Sequence, residues 1–89
     1  MNIALDYDNC YTRDPECWNN IIKVFQESGH NVMVVTMRYP AEAVDQSLSS
    51  WIPVHYTERR AKRDYMIWRG VSIDIWIDDT PDAILYNFS

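Results

Sequence analysis

The chain has 89 residues, which is room for a single domain spanning residues 1–89, and its hydrophobic fraction of 47% is ordinary for a globular protein. Its formal net charge of −5 disfavours a general role in coating nucleic acids or anionic membranes, because such surfaces are basic. No stretch approaches the ~20 apolar residues of a membrane span, and Asp6 and Asp8 interrupt the first apolar run where a signal peptide would continue. The two cysteines, Cys10 and Cys17, lack a metal-binding spacing. These features predict a protein of a reducing cytoplasm with free thiols.

The first part of the chain predicts two buried strands separated by a helix. Asn2–Leu5 is a short apolar run, as in a strand that is covered on both faces. Asp14 followed by Pro15 is typical of a helix start, and Gly29 is a natural stop. Residues 32–35 form the second apolar run.

The middle of the chain predicts a second helix and an edge strand. The helix begins at Pro40 and carries an apolar stripe as far as Leu48. Residues 51–56 then read as the third strand. Pro53 within it has no N–H to donate, which predicts a position at the edge of the sheet.

The last part of the chain predicts a third helix and a fourth strand. Thr57 caps the helix and Gly70 ends it, and residues 71–77 form the strand. Residues 80–82 are typical of another helix start. The pattern leaves residues 84–88 open between a helical turn and a short fifth strand.

This alternation predicts an α/β fold. The chain would form a Rossmann-like parallel sheet of four strands, or five, flanked by helices and joined by right-handed crossovers. Ligands of such sheets bind outside the carboxyl ends of the strands. The polar residues that follow the strands are Asp6, Asp8, Thr36, Asp78 and Asp79. Lys62 lies in the third predicted helix.

Carboxylates, a hydroxyl and an amine at one edge of a sheet suit phosphoryl transfer. Mg²⁺ prefers carboxylate and carbonyl oxygens, and it commonly binds one or two protein carboxylates together with a substrate phosphate. A carboxylate can act as a nucleophile, and a second one can serve as general acid and base.

The same residues carry a resemblance to the haloacid dehalogenase superfamily. IALDYDNCYT resembles motif I of that family, an apolar strand ending in DxD, and VMVVTMR resembles motif II, a strand ending in Thr or Ser. Lys62 in ERRAKRDYM stands where the motif III Lys is expected, with a neighbouring Arg as the alternative. SIDIWIDDTPD resembles motif IV, a strand ending in paired acids. The four motifs occur in the family's order and extend over nearly the whole chain.

The resemblance implies a role for each of these residues. The expected magnesium ligands are Asp6, Asp8, Asp78 and Asp79, with Asp8 acting through its backbone carbonyl. The expected catalytic residues are Asp6 as the nucleophile and Asp8 as the acid and base. The expected phosphate contacts are the side chains of Thr36 and Lys62 and the backbone amides of Asn9 and Met37.

The resemblance also implies a capless core with the strand order third, second, first, fourth. Both intervals where the family inserts a cap are too short for one. Asn9 and Cys10 replace the small residue and the Thr or Val that the family usually has after its second Asp, although Asn tolerates a left-handed turn. The sheet edge beyond the fourth strand would be exposed, which makes a homodimer one expected partnership.

The expected function is that of a Mg²⁺-dependent phosphomonoesterase working through an aspartyl phosphate. Its substrate would be a nucleotide, a sugar phosphate or a nucleic-acid end. The arginines between residues 59 and 69, with Arg38 nearby in sequence, either bind its phosphates or form a solvated helix face. The alternative is a catalytically silent binding or regulatory module with the same fold. Short members of this kind resemble those encoded by bacteriophages, which would place the protein in the host cytoplasm.

A response-regulator receiver is excluded because residues 55–57 lack its phospho-accepting Asp, and a P-loop is excluded because the two glycines lie in no Gly-rich loop.

Overall fold

The computed structural model describes residues 1–89 as an all-parallel, four-stranded sheet flanked by helices. The strands are β1 (Asn2–Leu5), β2 (Asn31–Thr36), β3 (Val54–Tyr56) and β4 (Ile75–Ile77). The helices are α1 (Pro15–Glu27), α2 (Gln46–Ser49), α3 (Lys62–Trp68) and α4 (Asp82–Leu85). The sheet order is β3-β2-β1-β4, so the predicted fold class and strand order are confirmed.

The central strand β1 aligns the carboxyl ends of its neighbours. Ile3 lies beside Val32 on β2 and beside Ile75 on β4. Because every pairing is parallel, the residues after β1, β2 and β4 emerge at the same edge of the sheet.

The first helix forms as the sequence predicts. The side chain of Asp14 accepts a hydrogen bond from the N–H of Cys17 at 3.2 Å, which caps the first turn. Ile22 is buried against the sheet. Gly29 has φ +86°, a left-handed conformation that ends the helix at little steric cost.

The predicted second helix is wrong as one continuous element. The segment instead contains a 3-10 turn at Pro40–Glu42 and, after a break, the short α2. At the break, the N–H groups of Val44 and Asp45 donate to the hydroxyls of Tyr56 and Tyr7, each at 3.1 Å. These tertiary bonds replace helical ones, and the side chain of Asp45 then caps α2.

The third strand and third helix are both shorter than predicted. Helical turns continue from α2 as far as Ile52, so only Val54–Tyr56 pairs with β2, at the edge that Pro53 indicates. Thr57 does not cap α3. Its hydroxyl donates to the carbonyl of Arg60 at 2.8 Å and closes a turn that delays the helix.

The fourth strand is also shorter than residues 71–77, because pairing with β1 begins only at Ile75. Residues 82–85 form α4, and residues 86–88 join no sheet, so there is no fifth strand.

Two apolar clusters fill the spaces on the two faces of the sheet. The larger one packs α1 and α2 against one face, and its central members include Leu5, Ile22 and Leu48. The smaller one packs Met66 of α3 against Ala4 and Val35 on the opposite face. None of the helices is long and apolar enough to cross a membrane.

Candidate active site

Lys62 binds two aspartates at the carboxyl edge of the sheet. Its ammonium donates to Asp6 Oδ1 at 2.8 Å and to Asp78 Oδ2 at 2.6 Å. The side chains of Lys62 and Asp78 are each only 2% exposed, and that of Asp6 is 10% exposed. Ion pairs this deeply buried must be well satisfied, because each charge has lost its hydration.

Asp79 completes a cluster of three carboxylates. One oxygen each from Asp6, Asp78 and Asp79 can be chosen so that all lie within 4.8 Å of one another. Lys62 is the one cation hydrogen-bonded within this group. When the three acids are ionised, two negative charges remain without a partner, which is the charge of a divalent cation with opposite sign.

Burial and the neighbouring acids change the protonation of Asp6. Burial and a hydrogen bond with Asp79 raise the pKa of Asp6 from 3.8 to about 7, although Lys62 opposes the shift. Without a metal, the Asp6 carboxyl is therefore about half protonated near neutral pH, at a place where a bound cation would stabilise its ionised form.

An irregular turn delivers Lys62 to the cluster. Glu58 and Arg59 both have left-handed backbones, with φ of +55° and +68°. The turn is tied to the segment after β2, because the N–H of Arg59 donates to the carbonyl of Met37 at 3.0 Å. Helix α3 then begins at Lys62, so this residue, and none of the neighbouring arginines, enters the site.

Thr36 and Met37 lie beside the carboxylates at the end of β2. Thr36 is 1% exposed, and its hydroxyl accepts a hydrogen bond from the N–H of Arg38 at 3.3 Å. The N–H of Met37 makes no hydrogen bond within the chain. Met37 lines the cavity, and a backbone N–H without a partner is a suitable contact for a phosphate oxygen.

Asn9 adopts the left-handed conformation that the sequence allows, with φ +58°. Its N–H donates to the hydroxyl of Thr12 at 3.0 Å. This amide is thus engaged in its own turn, and its contact with phosphate stays a prediction.

The carboxylate of Asp8 lies outside the three-acid cluster and is bound by Arg38. Arg38 Nε donates to Asp8 Oδ2 at 3.0 Å and Arg38 Nη2 donates to Asp8 Oδ1 at 2.8 Å, which makes a bidentate ion pair. The guanidinium also lies 5.0 Å from the ring centre of Tyr7 and donates to the carbonyl of Glu42. Hydrogen bonding to Arg38 lowers the pKa of Asp8. The sequence analysis did not predict this ion pair. The one signal for it in the sequence is an Arg two residues after Thr36, close to the predicted site.

The site residues share a small cavity of about 170 Å³. It is lined by every residue that the sequence predicts for the site: Asp6, Asp8, Asn9, Thr36, Met37, Lys62, Asp78 and Asp79. Three further residues line it that sequence reasoning missed: Thr80, Ala83 and Phe88. A larger hollow of about 530 Å³ at the opposite end of the sheet contains no carboxylate side chain.

Other residues near the cavity have structural roles. Cys10 is buried, and burial together with the nearby acids raises the pKa of its thiol to about 11, so it is no thiolate nucleophile. Tyr7 and Tyr11 are buried in the core with stacked rings. Arg59 pairs with Glu42 at 3.2 Å, outside the cavity.

Comparison of the chain with protein-family models, curated proteins and solved structures finds no match. The functional assignment therefore depends on the motifs and on the geometry of this cavity.

Proposed function

We propose that the protein is a Mg²⁺-dependent phosphohydrolase that cleaves phosphomonoesters through an aspartyl phosphate on Asp6. The observation that carries the proposal is the buried contact of Lys62 with Asp6 and Asp78 beside a third carboxylate. A buried ammonium among acids at the carboxyl edge of a parallel sheet combines an anion site with a cation site. Phosphoryl transfer needs both.

The donor set fits magnesium. Asp6, Asp78 and Asp79 offer only hard oxygen ligands, and no His or thiol belongs to the cluster. These three residues would hold the ion, with the backbone carbonyl of Asp8 as the further ligand expected from the family resemblance. When bound, Mg²⁺ supplies charge neutralisation for the phosphoryl oxygens.

The chemistry of the chain's own residues follows in two steps. In the first, an Asp6 oxygen bonds to phosphorus while the bond to the leaving oxygen breaks, and that oxygen departs with the electron pair and takes a proton from Asp8. In the second, water attacks phosphorus, Asp8 regains a proton from it, and the bond to Asp6 breaks to release inorganic phosphate. Lys62, the Thr36 hydroxyl and the Met37 N–H would bind the phosphoryl oxygens throughout.

Arg38 constrains the part that Asp8 plays. Both carboxylate oxygens of Asp8 accept hydrogen bonds from the guanidinium, so one of them must be released before that oxygen can carry a proton. In the second step the ionised carboxylate is already suited to accept a proton from water.

The test is hydrolysis of p-nitrophenyl phosphate with Mg²⁺, followed by a panel of nucleotides, sugar phosphates and 3′-phosphorylated oligonucleotides. The proposal expects Mg²⁺-dependent turnover that is lost in Asp6→Asn and reduced roughly 10²–10⁴-fold in Asp8→Asn. Glu27→Gln, which changes an exposed acid on α1, serves as the matched control and should retain full activity. Equal turnover by the wild type and Asp6→Asn would contradict the proposal.

The second candidate is a catalytically silent module that binds a phosphorylated partner. The Arg38 contact favours it, because a carboxylate held on both oxygens is poorly placed as a proton donor. A folded wild type that binds Mg²⁺ and yet turns over no member of the panel would select this candidate.

A further inference from the structure

The cavity has one aromatic wall, which belongs to none of the predicted motifs. Its apolar lining residues are Met37, Ala83 and Phe88, and Phe88 is the only aromatic residue among them. Phe88 is 41% exposed, so it stands at the mouth of the cavity, in contrast to the buried Thr36 and Lys62 at the bottom.

Specific hydrogen bonds fix Phe88 at this place. Its N–H donates to the carbonyl of Arg59 at 2.6 Å, and the side-chain oxygen of Asn87 accepts from the N–H of Ala61 at 2.7 Å. Both partners belong to the turn that delivers Lys62 to the acids. The aromatic wall and the ammonium that contacts Asp6 are therefore held by the same piece of backbone.

The position of the wall defines which part of a substrate would meet it. In the proposed function, on which this inference rests, the phosphoryl group lies deep, against Asp6 and Lys62. A cavity of about 170 Å³ is small, so the leaving group must extend to the mouth, where Phe88 lies. A flat apolar group there can stack on an aromatic side chain, whereas a small polar alcohol gains nothing from it.

We propose that Phe88 is a specificity-determining residue that selects phosphomonoesters with a flat, aromatic leaving group, such as an aryl or nucleobase-bearing alcohol. No cap domain within residues 1–89 covers this cavity, and Phe88 provides the wall that a cap would otherwise supply.

The experiment compares two non-hydrolysable probes, phenylphosphonate and propylphosphonate, by calorimetric titration in the presence of Mg²⁺. The wild type should bind phenylphosphonate roughly two- to tenfold more tightly than propylphosphonate, the range that one aromatic contact supports. Phe88→Ala should lose this preference while retaining its affinity for propylphosphonate. Tyr86→Ala is the matched control, because Tyr86 lies in the same segment, is exposed and does not line the cavity.

The outcomes separate this inference from the proposed function. If both probes bind equally to the wild type, or if Phe88→Ala keeps the preference, the aromatic wall is refuted while the phosphate site stands. If neither probe binds, the phosphate site itself is refuted, and the wall with it. Phe88→Leu distinguishes stacking from plain apolar contact, since stacking requires that Leu also lose the preference.

Discussion

The buried carboxyl of Asp6 makes the stability of the metal-free protein depend on pH. Its pKa is about 7 in the folded protein against an ordinary value of 3.8. Because the pKa is higher in the folded protein, the protonated Asp6 carboxyl contributes its full stabilisation below pH 3.8. This stabilisation is lost as the pH rises through about 7. Between pH 5 and pH 7 the Asp6 carboxyl is ionised in the unfolded chain but protonated in the folded protein. The free energy of unfolding therefore falls by about 1.4 kcal/mol per pH unit.

Asp6→Asn removes this pH dependence, because an amide has the shape of the carboxyl group but does not ionise. The free energy of unfolding of the variant, relative to the wild type, should therefore be about 3 kcal/mol higher at pH 8 than at pH 5, which means that the variant gains relative stability as the pH rises. The assay is guanidinium unfolding with a chelator present, at both pH values. Taking the difference between variant and wild type cancels most other titrating groups.

Glu27→Gln is the control for Asp6→Asn, since this exposed acid makes no side-chain hydrogen bond. Its difference from the wild type should be the same at both pH values. If the difference for Asp6→Asn is also independent of pH, burial and the neighbouring acids do not raise the pKa of this carboxyl and the reasoning fails.

Four further predictions concern the metal, the ion pairs and the loop after β1. Mg²⁺ at a hundred times its dissociation constant should stabilise the wild type by about 2.7 kcal/mol in thermal unfolding, and Asp78→Asn should lose most of this gain; equal gains would contradict the cluster as the metal site. Where the second step limits turnover, Arg38→Met should lower kcat by on the order of tenfold, because the ion pair keeps Asp8 ionised and oriented as the base, and it should leave kcat unchanged in an Asp8→Asn background. Additive losses in this cycle would assign Arg38 a separate role. Lys62→Met should lower the free energy of unfolding at pH 8 by roughly 3 kcal/mol or more, because it leaves a buried Asp78 carboxylate unpaired; a loss below about 0.5 kcal/mol in guanidinium would refute the buried pair. Asn9→Ala should cost about 1 kcal/mol through its left-handed backbone and Asn9→Gly less, so an equal cost for both would show that φ is not the cause.

The sequence predicts the sheet and the approximate position of the site for one physical reason. Runs such as Asn2–Leu5 are apolar on both faces, which only a strand buried between helices tolerates. Parallel pairing then brings Asp6, Thr36 and Asp78 to one edge, although they are far apart in the chain.

Contacts between side chains and distant backbone explain where the sequence analysis fails. The break before α2 depends on hydroxyls of Tyr7 and Tyr56 that accept hydrogen bonds from N–H groups in the middle of the segment. The late start of α3 depends on left-handed conformations at Glu58 and Arg59, residue types that rarely adopt them. No local propensity encodes either feature.

The functional residues that the sequence does not reveal are also defined by tertiary contacts. Arg38 is informative only once its guanidinium is seen to bind both oxygens of Asp8. Phe88 reaches the cavity because its backbone bonds to the turn before α3, which is a contact between residues 29 positions apart.

The most direct test of the central claim is to trap the acyl phosphate on Asp6. The protein would be quenched with borohydride during turnover of p-nitrophenyl phosphate with Mg²⁺, and its peptides would be mapped by mass spectrometry. Borohydride reduces an aspartyl phosphate to homoserine, so the account predicts homoserine at position 6 only when both substrate and Mg²⁺ are present. Continued turnover with an unmodified Asp6, or reduction at Asp8 instead, would contradict it.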